Sequence, residues 1–133
     1  MLKREERHTP GASPEPAVAA LHGKQGEDMA CRLLTALGYT VLGRNIRHGR
    51  AEMDVLAVEG GALVCIEIKT RNSVVFGRPE EFITRRKQVL LNEALQEEVR
   101  LRGWQGPARF DEVSLVLQPF GYRAEVFRDV QYD

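Results

Sequence analysis

Neither sign of charge prevails in this chain: nineteen Lys and Arg residues face nineteen Asp and Glu. A nucleic-acid-binding surface therefore has to come from local clustering, because bulk charge supplies none. Cysteine is scarce. Cys31 and Cys65 stand alone, too few for a zinc pattern. The sequence leaves one disulfide between them open, and the expectation is two buried reduced thiols in a cytosolic protein. Apolar runs fall far short of the ~18–20 residues of a membrane span. No apolar segment ahead of a cleavage site suggests a signal peptide, so the expected location is the cytoplasm, away from any membrane. Histidine is rare too: His8, His22 and His48 show no ligand spacing. No Ser-His-Asp or Cys-His arrangement offers an activated nucleophile, and no internal repeat is visible. What is there is a composition ordinary for a globular protein, 43% hydrophobic and 29% charged over 133 residues. That length suggests one domain with a real core.

Residues 1–21 mix Pro10, Gly11, Pro14 and Pro16 with charged and small residues. They have no sustained period and read as a disordered or loosely ordered tail. Residues 22–133 read as a single domain. Ala30, Leu33, Leu34 and Leu37 recur at helical spacing, and Gly38 sits where a glycine cap belongs. A strand is expected from Tyr39 to Arg47, with a turn at His48-Gly49. Two more are expected at Ala51–Val58 and Leu63–Thr70. Asn72 to Arg78 reads as a loop. Pro79, followed by Glu80 and Glu81, predicts the first turn of a helix running to about Arg102 and ending at Gly103, with Trp104 packing its end. Arg109–Leu117 and Tyr122–Phe127 complete the order α-β-β-β-α-β-β, an α/β fold with a sheet flanked by helices.

The stretch from Ala51 to Thr70, AEMDVLAVEGGALVCIEIKT, resembles a buried hairpin interrupted by charges. Gly60-Gly61 suits a two-residue type I′ loop, because glycine accepts the positive φ that such a turn needs. That register sets Asp54 opposite Glu67 and Glu52 opposite Lys69. It gives Met53, Val55, Ala57, Val64, Ile66 and Ile68 one apolar face. The other face begins with Leu56, Val58, Leu63 and Cys65 and becomes charged away from the turn. Opposed side chains have Cβ atoms about 4.5–5.5 Å apart. Two carboxylates that close repel unless one is protonated or a cation lies between them. A hard divalent cation takes such oxygen donors. Lys69, on the same face, could neutralise the pair or hold a metal-bound water against a phosphate. The plainer reading is a solvated sheet face. Glu27 lies on the inward stripe of the first helix with Ala30, Cys31 and Leu34, and would bring a third carboxylate. Its plainer reading is a first-turn acid favoured by the helix dipole.

The order of short motifs is specific. Gly26-Glu27-Asp28, Leu37-Gly38-Tyr39, Arg44-Asn45 and Glu52-Met53-Asp54 come first. Glu67-Ile68-Lys69-Thr70-Arg71, Phe76-Gly77-Arg78-Pro79, Lys87 and Arg109-Phe110-Asp111 follow. Together they resemble the YraN family of bacterial proteins, over roughly Gly23 to Leu117. That family is similar to Holliday-junction resolvases and to the restriction-endonuclease-like PD-(D/E)xK superfamily. The resemblance implies a mixed sheet flanked by helices. It implies Mg²⁺ (or Mn²⁺) bound by Asp54, Glu67 and the Ile68 carbonyl. Lys69 would orient or help deprotonate the attacking water, and Glu27 would match the helix-borne acid of the resolvase branch. One departure stands out: Ala51 replaces a glycine that usually precedes the Glu-x-Asp triplet. It matters only where that glycine takes positive φ or lets a phosphate approach.

The expected function is metal-dependent phosphodiester cleavage in nucleic acid, with DNA, including branched DNA, as the expected substrate. From Lys69 to Lys87 six basic residues (Lys69, Arg71, Arg78, Arg85, Arg86 and Lys87) stand against Glu80 and Glu81, an excess of four. Arg71, Arg78, Arg85, Arg86 and Lys87 are the candidate phosphate contacts; a solvated helix face is their plainer reading. Phe76 could stack on an unpaired base or plug its loop onto the core. The alternative function is a non-catalytic nucleic-acid-binding or scaffold module that keeps the nuclease fold. A third is a protein-interaction domain using an apolar patch. A homodimer is left open, since branched-DNA cleavage commonly needs two active sites.

Overall fold

A computed structural model describes residues 6–7, 24–71, 84–119 and 121–131. The elements are β1 (Glu6–Arg7), α1 (Lys24–Ala36), β2 (Thr40–His48), β3 (Ala51–Glu59), β4 (Ala62–Arg71), α2 (Arg85–Arg102), β5 (Ala108–Gln118) and β6 (Gly121–Phe127). They build a mixed sheet in the order β1-β6-β5-β4-β3-β2. Among the described residues only β4 and β5 pair in parallel, and α2 lies between them in the chain; such a pairing needs a crossover connection of this kind. The two-residue β1 pairs with β6 and falls inside the segment expected to be a loose tail. The rest of that segment, the expected loop from Asn72 to Arg78 with Phe76, and the expected first helical turn at Pro79, Glu80 and Glu81 lie outside the described residues.

Two cores sit on opposite faces of the sheet. Along β4, Val64 and Ile66 pack with Ala30, Cys31 and Leu34 of α1, while Leu63 and Cys65 pack with Leu91, Ala94 and Leu95 of α2. This alternation follows from the two-residue period of a strand. It yields a three-layer α/β/α sandwich. Cys31 and Cys65 are free and buried in different cores. Burial pushes both thiols up. Among the described residues no helix is long and apolar enough to cross a membrane.

The hairpin register is the one the glycines predict. Val55 pairs with Ile66, Leu56 with Cys65 and Val58 with Leu63, around Gly60 and Gly61 with φ of 58° and 83°. Three expectations need correction. First, the ladder ends at the Val55–Ile66 pair, so Asp54–Glu67 and Glu52–Lys69 are not ladder pairs. Glu52 pairs instead with Arg47 of β2, at 3.4 Å. Second, Met53 does not share the face of Val55 and Ala57. It packs with Ala51 and Leu56 against α2, whereas Val55 and Ala57 pack against α1. This break in alternation coincides with Asn45, at φ 49°, which lies between the Arg44–Val55 and Ile46–Met53 pairs. Third, the second helix begins at Arg85, not at Pro79. Thr84 is extended, and its hydroxyl accepts the Lys87 N–H, an N-cap that satisfies an otherwise orphaned donor. Gly103, left-handed at φ 60°, closes the helix, and Trp104 packs beneath it with its indole N–H on the Pro107 carbonyl.

Candidate metal and nucleic-acid site

Where the β3–β4 ladder stops, side chains replace main chain. The Ile68 N–H donates to Asp54 Oδ2 at 2.8 Å. In an extended strand a residue's N–H and C=O point to the same edge, so the Ile68 carbonyl points to the edge that carries Asp54. Asp54 is half-buried. Burial raises its pKa, the Ile68 hydrogen bond and the charge of Lys87 pull it back, and the negative charges of Glu27 and Glu52 raise it further.

Glu67 is 4% exposed. Its Oε1 lies 3.6 Å from Lys87 Nζ, and its Oε2 is buried with no hydrogen-bond partner among the described residues. Burial, then the charge of Asp54, pushes Glu67 up to about 7, against the opposing pull of Lys87 and Lys69. An unpartnered buried carboxylate oxygen is costly. A second carboxylate close enough to raise its pKa adds to that cost.

Glu27 is half-buried in the first turn of α1, as the stripe predicts. Its Oε1 accepts from Asn45 Nδ2 at 3.1 Å. Sequence reasoning assigned Asn45 no role. The available signal was its residue type, since asparagine enters the left-handed region more readily than most. Beside it, Arg44 holds Asp28 at 2.6 Å. Ala51 is buried in its strand and is not among the positive-φ residues, so no left-handed glycine is needed there.

The structure therefore brings Asp54, Glu67 and Ile68 together, with Glu27 near enough to act on Asp54 by its charge. Lys69 is half-buried on β4 and acts on Glu67 through charge. Lys87 makes the direct contact with Glu67, although the sequence suggested a phosphate contact or a solvated helix face for it. Arg85 and Arg86 are exposed in the same helical turn. Arg71 is half-buried at the end of β4, and Arg78 lies outside the described residues. Glu112, half-buried and paired with Glu67 across the β4–β5 ladder, is a further acid the sequence reading passed over. Among the described residues no three His, Cys, Asp or Glu side chains converge as a metal cluster. The candidate set is two carboxylates and a main-chain carbonyl.

A second polar network was also missed. Asp111, fully buried, accepts from Tyr39 Oη at 2.7 Å, from Arg109 Nε at 2.8 Å and Nη2 at 3.0 Å, and from the Asp129 N–H at 2.8 Å. Arg109 and Arg128 both donate to Glu59, and Arg128 lies over the Tyr39 ring. This network ties the end of β3 to β5 and to the residues after β6.

The comparisons with known proteins agree on one family. A family model described as uncharacterised protein family UPF0102 matches residues 26–115. A UPF0102 protein of Cytophaga hutchinsonii is 37% identical over 93 residues, covering 70% of this chain and 82% of that one. One from Flavobacterium psychrophilum is 34% identical over 110 residues, covering 83% and 92%. One from Symbiobacterium thermophilum is 40% identical over 100 residues, covering 74% and 85%.

Proposed function

The chain belongs to the uncharacterised family UPF0102, the YraN family of the sequence resemblance, and we propose that it is a metal-dependent phosphodiesterase acting on nucleic acid. One observation carries this reading. Glu67 is buried, with one oxygen unpartnered among the described residues, beside a second carboxylate, Asp54. A hard divalent cation relieves both problems at once, and its preference is for oxygen donors of this kind.

Asp54, Glu67 and the Ile68 carbonyl would hold Mg²⁺ or Mn²⁺. Magnesium binds through few protein ligands and keeps sites for water and substrate phosphate, which suits so small a set. Bound there, the ion would polarise the scissile phosphate and lower the pKa of a water. The chain's own residues do the rest. The Ile68 N–H holds Asp54 in one orientation. Lys69 stabilises the negative charge that develops on the phosphoryl oxygens in the transition state. Arg85 and Arg86 extend from the same end of α2 as Lys87 to contact phosphates and set the register of the strand. Glu27, fixed by Asn45, supplies a further negative group near Asp54. DNA is the proposed substrate.

The experiment is calorimetric titration of Mn²⁺ and Mg²⁺ into the wild type and Asp54→Asn. It is followed by cleavage assays on single-stranded, duplex and branched DNA and on RNA. Metal binding by the wild type and its loss in Asp54→Asn supports the reading. Absence of binding in both, even with nucleic acid present, overturns it. The scaffold reading then leads, supported by the Lys87 ion pair, which neutralises Glu67 without any metal.

A further inference from the structure

Three features of Lys87 do not follow from a role as a surface phosphate contact. Its ammonium lies against a carboxylate that is itself buried, at 3.6 Å. Its main-chain N–H is pinned by the Thr84 cap, so the base of the side chain is fixed while its stem stays half-exposed, 52% accessible. It also ends a run of three cations, Arg85-Arg86-Lys87, in a first turn that holds no acid. A helix N-terminus disfavours positive charge, so something else must hold these cations there. Glu67 does so for Lys87.

We propose that Lys87 is a resident counter-ion that a divalent cation displaces, which couples metal binding to nucleic-acid binding. The inference rests on the metal-site reading above and deepens it. Without metal, the Lys87 ammonium neutralises one of the two carboxylates. A divalent ion brings two positive charges to the same oxygens and repels the ammonium. Lys87 sits on a flexible four-carbon stem, and it turns outward to join Arg85 and Arg86. The first turn of α2 then presents three cations to a phosphate backbone in place of two. Lys87 is therefore a positioning residue, acting through Glu67 and through substrate affinity. By linkage, nucleic acid that holds Lys87 in the outward position must tighten metal binding by the same factor.

The test uses the full chain as wild type, Lys87→Gln and Lys87→Arg, each checked for a wild-type unfolding transition. Mn²⁺ alone is titrated at fixed pH and salt. Removing the competing charge should tighten Mn²⁺ binding about three- to tenfold in Lys87→Gln, and Lys87→Arg should stay close to the wild type. A short DNA duplex is then titrated with and without Mn²⁺. The wild type should gain more affinity from Mn²⁺ than Lys87→Gln does. A residue that merely stabilised the helix would move neither difference. Equal or weaker Mn²⁺ binding in Lys87→Gln, with the wild type still binding, overturns the counter-ion role and leaves the metal site standing. Failure of all three proteins to bind Mn²⁺ overturns the metal-site reading, and this inference with it.

Discussion

The Ile68 amide donates to Asp54 Oδ2 at 2.8 Å, so a side chain stands where the β3–β4 ladder would have continued beyond Val55 and Ile66. The exchange ends the ladder without orphaning the amide, and it fixes a carboxylate beside the Ile68 main chain. Asp54→Asn keeps an oxygen that can accept this bond, so the variant should fold with stability within about 1 kcal/mol of the wild type. It should nevertheless lose divalent-metal binding. Asp54→Ala removes the acceptor, and should cost about 1–3 kcal/mol in urea unfolding by leaving the Ile68 amide unpaired.

Lys69 and Lys87 should separate cleanly under mutation. Lys69→Ala should retain Mn²⁺ binding and lose about a hundred- to thousandfold in cleavage rate, the range seen when one group stabilising transition-state charge is removed. Full cleavage by this variant would sink the role assigned to Lys69.

Much of this site could be read from sequence because its positions are set by local rules. Gly60-Gly61 fixes the hairpin register as far as the Val55–Ile66 pair, and the two-residue period of β4 then puts Glu67 and Lys69 on one face; Asp54 meets them beyond the end of the ladder, through its bond to the Ile68 N–H. Glu27 follows from helical spacing in the same way. The rest depended on contacts that no local rule encodes. The Lys87–Glu67 pair joins a helix to a strand twenty residues earlier, and the Tyr39–Asp111 bond spans 72 residues. The change of face at Met53 coincides with an irregularity in the neighbouring strand, the left-handed backbone of Asn45. The second helix was expected to start at Pro79 because proline suits a first turn, but Thr84 offers a side-chain oxygen that proline lacks, and the helix starts after it.

Asn45 should show how that irregularity is held. A left-handed backbone costs a residue with a Cβ roughly 1–2 kcal/mol, and costs glycine little. Asn45→Gly should therefore be more stable than Asn45→Ala by about 1 kcal/mol, although both lose the amide that holds Glu27. Chemical unfolding of the pair measures the difference. Equal stability would mean that the left-handed turn relaxes at no cost.

The Asp111 network predicts a defect of a different kind. Asp111→Ala leaves Arg109 and Tyr39 half-buried or buried without their shared acceptor. Loss of one partner of a buried pair costs about 3–5 kcal/mol. Thermal unfolding should drop accordingly, while Mn²⁺ affinity below the transition stays near the wild-type value. Loss of metal binding in a folded Asp111→Ala protein would mean that the two polar centres are coupled.

Glu67 should give the metal-free protein a recognisable pH signature. Burial and the charge of Asp54 push its pKa from about 4.5 in the ordinary state to about 7 in the fold. An acid whose pKa is raised by folding holds its proton more tightly when native. Its contribution to stability is fully present below about 4.5 and is lost as pH rises through about 7. Glu67→Gln removes the titration. From pH 5 to pH 8 the variant should gain on the metal-free wild type by up to about 3 kcal/mol in urea unfolding. Millimolar Mn²⁺ at pH 8 should reverse that order, because an ion bound only to the native wild type stabilises it by mass action. The chelated proteins show the pH dependence alone. A constant gap between the two from pH 5 to pH 8 would mean that Glu67 ionises in the fold as it does in water, and that the buried carboxylate pair exerts no strain for a cation to relieve.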